Sequence, residues 1–219
     1  TVEVHGGNGN DTIYLGDWQL SKAWGDGGND TITASTKDTA TGVILYGGDG
    51  NDLLIGGSTV IEIHGGEGRD TITGSPQADL LYGDGGDDNI DALDGDDFVD
   101  AGNGNDVVEG RAGNDFLFGG AGTDTIRGSR GDDVLDGGDG DDQLFGSDGN
   151  DLLIGGNGND KAFGHGGVEL LIGDKVGTIN NLPITYANMA GLLAAVAAMP
   201  DSGVTVKGLT GTGNDFLVG

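Results

Sequence analysis

The stretch Gly47–Ile55 reads GGDGNDLLI, and the same nine-residue pattern returns as GGDGDDQLF in Gly137–Phe145 and as GGNGNDKAF in Gly155–Phe163. Fourteen copies follow one another without a gap from residue 47 to residue 172. Gly fills the first and the fourth positions in twelve copies each, Asp fills the sixth in twelve, and the eighth is apolar in all fourteen. A period this strict indicates one supersecondary unit stacked on itself, so the sequence predicts a solenoid.

The composition is strongly acidic and rich in glycine. The 219 residues include 49 Gly, 37 Asp and Glu, nine Lys and Arg and no Cys, and the formal net charge is −28. Such a charge argues against nucleic acid or an anionic membrane surface as a partner, and it keeps the chain expanded unless cations neutralise it. There is no run of about 18 apolar residues, so we expect no membrane insertion. The chain starts in mid-pattern without a signal peptide, so we expect a piece of a longer polypeptide.

Each copy divides into a turn and a very short strand. The first six positions are rich in Gly, Asp and Asn, which tolerate positive φ, and the last three place one apolar residue between variable ones. Two copies then make one coil of eighteen residues with two stacked parallel sheets. The predicted core is a ladder of eighth-position side chains: Leu54, Ile63, Ile72, Leu81, Ile90, Val99, Val108, Leu117, Ile126, Leu135, Leu144 and Leu153.

The sixth-position Asp predicts a bound cation. Equivalent loops lie one coil apart, so their carboxylates stack about 4.8 Å from one another and repel. A divalent cation between the loops turns this repulsion into a cage of carboxylate and carbonyl oxygens. Oxygen ligation without Cys and with almost no His indicates a hard cation, and a flexible coordination geometry favours Ca²⁺ over Mg²⁺. A role in turn formation alone does not explain the aspartates, because Asn or Ser would make the same turns without repulsion.

The pattern GGxGxDxUx, with U a large apolar residue, resembles the RTX, or haemolysin-type calcium-binding, repeats. The resemblance covers residues 1–172 and returns at residues 211–218, which read GTGNDFLV. It implies a right-handed parallel β-roll, Ca²⁺ at the loop edges, and secretion of the unfolded chain by a type I system.

Successive loops alternate between two edges of the predicted roll. On the first edge the sixth position is always Asp, which gives the predicted metal ligands Asp11, Asp30, Asp52, Asp70, Asp88, Asp106, Asp124, Asp142 and Asp160. This alignment treats residues 15–24 and 34–46 as degenerate repeats with one and four extra residues. On the second edge Ile61 replaces Asp, the irregular loop GSPQAD follows, and Glu169 replaces Asp in the last loop. The predicted ligands there are Asp97, Asp115, Asp133 and Asp151. Together the edges predict roughly 11–13 Ca²⁺ ions, whose charge would offset most of the acidic excess.

The repeat lapses from residue 173 to about residue 207, which divides the chain into a roll (1–172), an insert or cap (173–207) and a resumed, truncated repeat (208–219). Residues 185–199 read TYANMAGLLAAVAAM and predict a helix, with Thr185 as N-cap and Pro200 just beyond the end. This helix is apolar nearly all round, so we expect it to pack on the roll. The alternative is an interface for self-association or for a neighbouring domain.

The sequence contains no HExxH, GxSxG or GxxxxGK[ST] motif and no Cys nucleophile, so we expect no enzymatic activity. The leading interpretation is a calcium-binding structural module of a type I secreted protein, of the surface-layer, adhesin or extracellular filament kind, located outside the cell or at its surface. The alternative is the C-terminal roll of a secreted metalloprotease, lipase or polysaccharide-modifying enzyme whose catalytic domain lies elsewhere. Exposed aromatic residues leave carbohydrate or receptor binding as a third interpretation.

Overall fold

The computed structural model describes residues 2–16, 21–36, 42–167, 170–172 and 216–218, which form twenty short β-strands in two parallel ten-stranded sheets. The first sheet contains, in spatial order, β1 (Val2–Asn8), β3 (Ser21–Gly27), β5 (Val43–Asp49), β7 (Ile61–Glu67), β9 (Leu80–Gly85), β11 (Phe98–Asn103), β13 (Phe116–Ala121), β15 (Val134–Asp139), β17 (Leu152–Asn157) and β19 (Leu170–Ile172). The second sheet contains β2 (Thr12–Tyr14), β4 (Thr31–Thr33), β6 (Leu53–Ile55), β8 (Thr71–Thr73), β10 (Asn89–Asp91), β12 (Val107–Ala112), β14 (Thr125–Arg130), β16 (Gln143–Asp148), β18 (Lys161–Gly166) and β20 (Phe216–Val218).

This architecture is an all-β parallel solenoid, as the nine-residue period predicts. The chain alternates between the two sheets, so each neighbour within a sheet lies two strands away in sequence. The helix predicted at residues 185–199 lies outside the described residues. Within the described residues there is no helix long and apolar enough to cross a membrane.

The strand register shows that most coils contain eighteen residues. Ile90 pairs with Ile72 on one side and with Val108 on the other, an offset of eighteen in both directions. Val2 pairs with Ser21, an offset of nineteen, and the next strand pair in that sheet has an offset of twenty-two. These offsets confirm the two degenerate repeats with one and four extra residues.

The core is the narrow space between the sheets, and the twelve predicted eighth-position side chains are all fully buried there. They belong to a single apolar cluster that also includes Ala23, Ile32 and Leu45 from the earlier coils. A three-residue strand such as β8 buries only its middle residue, so each coil contributes two large side chains. So thin a core leaves much of the stabilisation to the loops at the two edges.

Aromatic rings at the ninth position of the repeat stack along the outer side of the first sheet. The ring centroids of His5 and Trp24 lie 4.5 Å apart, those of Trp24 and Tyr46 5.4 Å, and the column continues through His64 to Tyr82 at 4.9 and 4.6 Å. Their planes differ by 13° or less, so the rings lie face to face and cover one another. The five residues are far apart in the sequence, and the coil register places their rings in one column.

The second sheet continues across the insert. Strand β20, from the resumed repeat, pairs in parallel with β18 through Lys161↔Phe216 and Phe163↔Val218. The strand that follows β18 within this sheet therefore comes from beyond residue 207, although the repeat lapses in between.

Candidate calcium-binding edges

The sixth-position aspartates form two hydrogen-bonded ladders, one at each edge of the roll. On the first edge the Asp52 N–H donates to Oδ1 of Asp70, one coil further on, at 2.8 Å, and the Asp70 N–H donates to Oδ1 of Asp88 at 2.8 Å. The same link repeats without interruption from Asp11 to Asp160, with N···O distances of 2.7 to 2.9 Å. Each carboxylate is thereby held by the backbone of the preceding coil.

The structure places all thirteen predicted ligands on these ladders. Nine lie on the first edge, and Asp97, Asp115, Asp133 and Asp151 lie on the second, joined by N···O distances of 2.9 to 3.0 Å. All of them except Asp11 are buried.

The second oxygen of these carboxylates is buried without a hydrogen-bond donor. In eleven of the thirteen aspartates Oδ2 is inaccessible to solvent and accepts no hydrogen bond: Asp11, Asp30, Asp52, Asp70, Asp88, Asp97, Asp106, Asp115, Asp124, Asp133 and Asp142. Asp151 and Asp160 are equally buried and accept the N–H groups of Asp133 and Asp142. A buried anionic oxygen without a partner costs several kcal/mol, of the order of 2–7, so these atoms require a positive partner.

On the first edge a backbone carbonyl of the next coil lies close to several of these oxygens, beside a glycine at the first position. The point that a Cβ of Gly47 would occupy lies under 3.0 Å from both Asp52 Oδ2 and the carbonyl oxygen of Gly65 in the next coil. The same convergence of oxygens occurs beside Gly25, Gly65, Gly119 and Gly137. Two acceptors that face each other with no donor between them fit a hard cation, and a small residue at the first position, glycine here and alanine at Ala92 and Ala101, leaves space beside them.

In the absence of a cation, burial raises the pKa of several ladder carboxyl groups, among them Asp70, Asp88 and Asp106. Desolvation is the main cause; the N–H bond from the preceding coil opposes it, and the neighbouring carboxylates add to it. The pKa of Asp70 rises to about 6, that of Asp106 to about 7 and that of Asp88 to about 8. Holding these groups ionised at neutral pH therefore destabilises the cation-free fold.

The fifth position forms a second ladder that sequence analysis missed. The Arg69 N–H donates to Oδ1 of Asn51 in the preceding coil at 2.8 Å, and the Asn105 N–H donates to Oδ1 of Asp87 at 3.0 Å. This direction is opposite to that of the sixth-position ladder. The bonds from Asn105, followed by that from Arg69, lower the pKa of the exposed Asp87 carboxyl. The signal was the frequent Asn and Asp at the fifth position, which we assigned to turn formation alone.

The second-edge ladder loses its cation-binding character at residues 56–79. Ile61 has no carboxylate, and its N–H donates to Oδ1 of Asp79 at 2.9 Å. Asp79 also accepts the Ser75 hydroxyl on Oδ1 at 2.9 Å and the Ser75 N–H on Oδ2 at 2.5 Å. Both of its oxygens are thus satisfied by protein donors, so this carboxylate does not need a cation.

No cluster of three or more His, Cys, Asp or Glu side chains suited to a metal ion occurs in the part of the chain that the structure describes. A cation on these edges therefore depends on two carboxylates from successive coils together with backbone carbonyl oxygens. Such a set is typical of Ca²⁺, which accepts six to eight oxygens of mixed kind.

Comparison with known protein families identifies the repeat. The model of the RTX calcium-binding nonapeptide repeat, which spans four copies, matches residues 3–17, 23–38, 43–58, 64–99, 82–117, 91–126, 100–135, 118–153 and 145–175. The chain belongs to this RTX family. Comparison with curated proteins gave no match.

Membership accounts for the chemistry of the two edges. RTX repeats bind multiple Ca²⁺ ions, and the buried aspartate ladders with their facing carbonyls are consistent with this property. RTX repeats occur in secreted proteins. The repeats and the solenoid of this chain fit a calcium-binding repeat module of type I secreted proteins.

Proposed function

We propose that this RTX chain is a non-catalytic structural module of an extracellular or cell-surface protein, and that it folds when it meets Ca²⁺ outside the cell. The observation that carries this proposal is the column of buried sixth-position Oδ2 atoms that lack a donor on both edges. These atoms destabilise the cation-free fold, and they stabilise the fold when cations bind between the coils.

Ca²⁺ binding and folding are thermodynamically linked in such a chain. A ligand that binds only the folded chain stabilises it, by about 2.7 kcal/mol for each site at a hundredfold excess over its Kd. Cytosolic Ca²⁺ is submicromolar, so the acidic chain remains expanded and suited to passage through a secretion channel. Millimolar Ca²⁺ outside the cell fills many sites, each bridging two successive coils, and the folding transition is steep.

The proposed distribution of ions follows the ladders. The nine loops of the first edge provide eight inter-loop positions, which run from Asp11 to Asp160. The second edge provides positions from Asp97 to Asp151, and none at Ile61. We propose a total of roughly 11–13 ions, with the gap on the second edge around residues 56–79.

Circular dichroism of the whole chain tests the proposal. In excess chelator we expect the spectrum of an expanded chain, and in millimolar Ca²⁺ that of a β-solenoid, with a steep transition between them. Mg²⁺ at the same concentration serves as the matched control and should not induce the fold, because it requires a stricter octahedral geometry. Complete β-structure in excess chelator, or equal folding in Mg²⁺, would overturn the proposal.

Native mass spectrometry and crystallographic anomalous scattering test the distribution. We expect ions between successive first-edge loops and none beside Ile61. Density for a cation beside Ile61, or an uninterrupted column of ions on the second edge, contradicts the assignment.

A further inference from the structure

Three apolar side chains on the outer side of the first sheet are buried. Val134 of β15 is 0% exposed, and Leu152 and Ile154 of β17 are 0% and 2% exposed. They occupy the seventh and ninth positions of the repeat, whose side chains point away from the core because they alternate with the eighth. None of the three belongs to the apolar cluster between the sheets. Their burial therefore requires a cover on the outside of the roll.

The same repeat positions are more exposed in earlier coils. Leu80, a seventh-position leucine of the first sheet, is 43% exposed, and Val107, its counterpart in the second sheet, is 39% exposed. The second-position glycines show the same boundary, since Gly138 and Gly156 of β15 and β17 are buried and Gly120 of β13 is partly exposed. Side chains of adjacent strands flank all of these positions, so the sheet alone does not explain the difference. The burial is therefore a property of the last coils.

No element in the described part of the chain packs against this outer face. The described strands that contact β15 and β17 are their neighbours in the first sheet and the strands of the second sheet across the core. Residues 17–20 and 37–41 connect strands of the first coils, at least five strand spacings from β15, or about 24 Å. These short connections are too far away to cover β15 and β17. The remaining long connection is the one between β19 and β20.

The connection between β19 and β20 begins directly beside the buried face. Ile172, the last residue of β19, pairs with Ile154, and the chain returns at β20 to the strand beside β18. Residues 173–184 can span up to about 40 Å when extended. A helix over residues 185–199 is about 22 Å long, which is enough to cross four strands at about 4.8 Å each. The predicted helix can therefore reach β15 and β17 from the end of β19.

The sequence of this connection suits an apolar surface. Residues 176–200 include no charged residue, although the chain has a net charge of −28. Residues 185–199 place four large side chains along one stripe of the predicted helix: Tyr186, Met189, Leu193 and Val196. Such a helix buries apolar area without bringing further carboxylates to an acidic roll, so the segment and the face are complementary.

We infer that residues 185–199 dock as a helix on the outer side of β15 and β17, against Val134, Leu152 and Ile154. The docked helix gives the last coils a second apolar layer, on the side of the first sheet opposite the core. The face exists only when these coils are folded, so docking rests on the proposed calcium-dependent fold. The segment therefore stabilises the last coils from within the same chain.

Cysteine crosslinking of the calcium-loaded chain tests the inference, because the sequence has no native Cys. With Leu152→Cys and Leu193→Cys in one chain, a short bis-maleimide reagent should join the two residues within one molecule. Leu80→Cys with Leu193→Cys is the matched control, because Leu80 has the same repeat position four strands away, about 19 Å along the sheet. Peptide mapping should show the link in the first pair and not in the second.

Hydrogen–deuterium exchange provides a second measurement. In Ca²⁺ the amides of residues 185–199 should exchange slowly in the wild type. Leu152→Gln should speed their exchange by about tenfold or more, because it removes an apolar contact and places an amide group in the buried face. Leu80→Gln is the control and should leave this exchange unchanged.

The inference is overturned if residues 185–199 exchange fast in the calcium-loaded wild type, if Leu152→Gln and Leu80→Gln act equally, or if Leu152→Cys forms no intramolecular link. A link between two molecules, with dimers that increase with concentration, replaces it with self-association through this face. Circular dichroism of the same samples reports the roll itself. Loss of the β-signal in Ca²⁺ contradicts the calcium-dependent fold together with the docking, whereas an intact signal without docking contradicts the docking alone.

Discussion

Replacement of Asp70 by Asn should have opposite effects in the presence and absence of Ca²⁺. Asp70 accepts the Asp52 N–H on Oδ1, and its buried Oδ2 has no donor and converges with the carbonyl oxygen of Gly83 beside Gly65. An Asn side chain keeps the first bond through its amide oxygen. Its NH₂ group replaces Oδ2 and faces the Gly83 carbonyl, so it supplies the missing donor and removes the buried charge.

In chelator the variant should therefore be more stable than the wild type. Burial raises the pKa of Asp70 from 3.8 to about 6, and this shift corresponds at pH 7 to about 1–3 kcal/mol of destabilisation after allowance for solvent screening. Asp70→Asn removes this penalty. We expect the free energy of unfolding in chelator to increase by an amount in that range.

In Ca²⁺ the same substitution should destabilise the fold. It deletes one carboxylate from the cation positions on either side of the Asp70 loop, and Ca²⁺ affinity depends on the number of ligand charges. A loss of about 10- to 100-fold in affinity corresponds to about 1.4–2.8 kcal/mol. The gain in stability on adding Ca²⁺ should therefore be smaller than in the wild type, because the cation-free fold of the variant is more stable and its Ca²⁺-loaded fold is less stable.

Asp79→Asn is the matched control, since Asp79 occupies the same repeat position with both oxygens satisfied by Ile61 and Ser75. Its NH₂ group would face an N–H or O–H donor, which costs about 1–3 kcal/mol with or without Ca²⁺. Thermal and urea unfolding, followed by circular dichroism, measures both variants in chelator and in Ca²⁺, with an osmolyte added in both to make the chelated fold measurable. The reasoning is refuted if Asp70→Asn destabilises the chelated fold, or if Asp79→Asn reduces the calcium-dependent gain as much.

Three further outcomes follow from the same geometry. The pKa of Asp70 is about 6 and those of Asp88 and Asp133 are about 8 in the cation-free fold, so this fold binds more protons than the unfolded chain. Unfolding in chelator should therefore show stability rising as the pH falls from 8 toward 4. Gly47→Val places a branched side chain against Asp52 Oδ2, larger than the methyl groups of Ala92 and Ala101 at the same repeat position, and should reduce the ion count in native mass spectra. Gly27→Val, whose Cβ meets only an ordinary contact, should leave the ion count unchanged. Trp24→Ser removes two ring stacks and should lower stability in Ca²⁺ by about 1–3 kcal/mol with no change in the ion count.

The sequence predicted the parts of the fold that repeat at every coil. The period determines the coil length, the eighth position determines the core, and Leu54 or Ile126 is buried because each follows the turn by the same number of residues. The extra residues before Gly25 and Gly47 were also placed correctly, since the repeat resumes in register on either side of them. Local spacing is sufficient here because each coil contacts only its neighbours.

The parts that the sequence did not predict depend on contacts between coils at positions that vary. The column from His5 to Tyr82 requires aromatic residues at one position of several successive coils, a correlation that the repeat pattern does not reveal. A groove bordered by Leu93, Asp94, Arg111 and Arg130 likewise arises from residues about one coil apart, combined with the irregular loop that contains Pro76. Both features need the coil register before their residues can be assigned to one surface.

The two polar ladders separate the role of the turn from the role of the cation. At the fifth position an Asn, an Asp, a Thr and an Arg all occur, because the side chain is exposed and needs at most one acceptor oxygen for the next coil. At the sixth position a single acceptor would also satisfy the backbone N–H, so Asn would suffice there in the absence of a cation. The charged residue is retained where Oδ2 has no donor.

Asp79 is the ladder aspartate whose two oxygens both accept hydrogen bonds from the protein. Its loop has lost the fourth-position glycine and gained Ser75, whose N–H and hydroxyl groups donate to the carboxylate that a cation would otherwise bind. One residue type at one repeat position thus has two solutions, a protein donor or a bound ion. A serine at the second position is not sufficient for the first solution, because Ser129 occupies that position in the Asp133 loop, where Gly131 is retained at the fourth position and Oδ2 has no donor. The replacement of the fourth-position glycine by Gln77 is what distinguishes the Asp79 loop from the Asp133 loop.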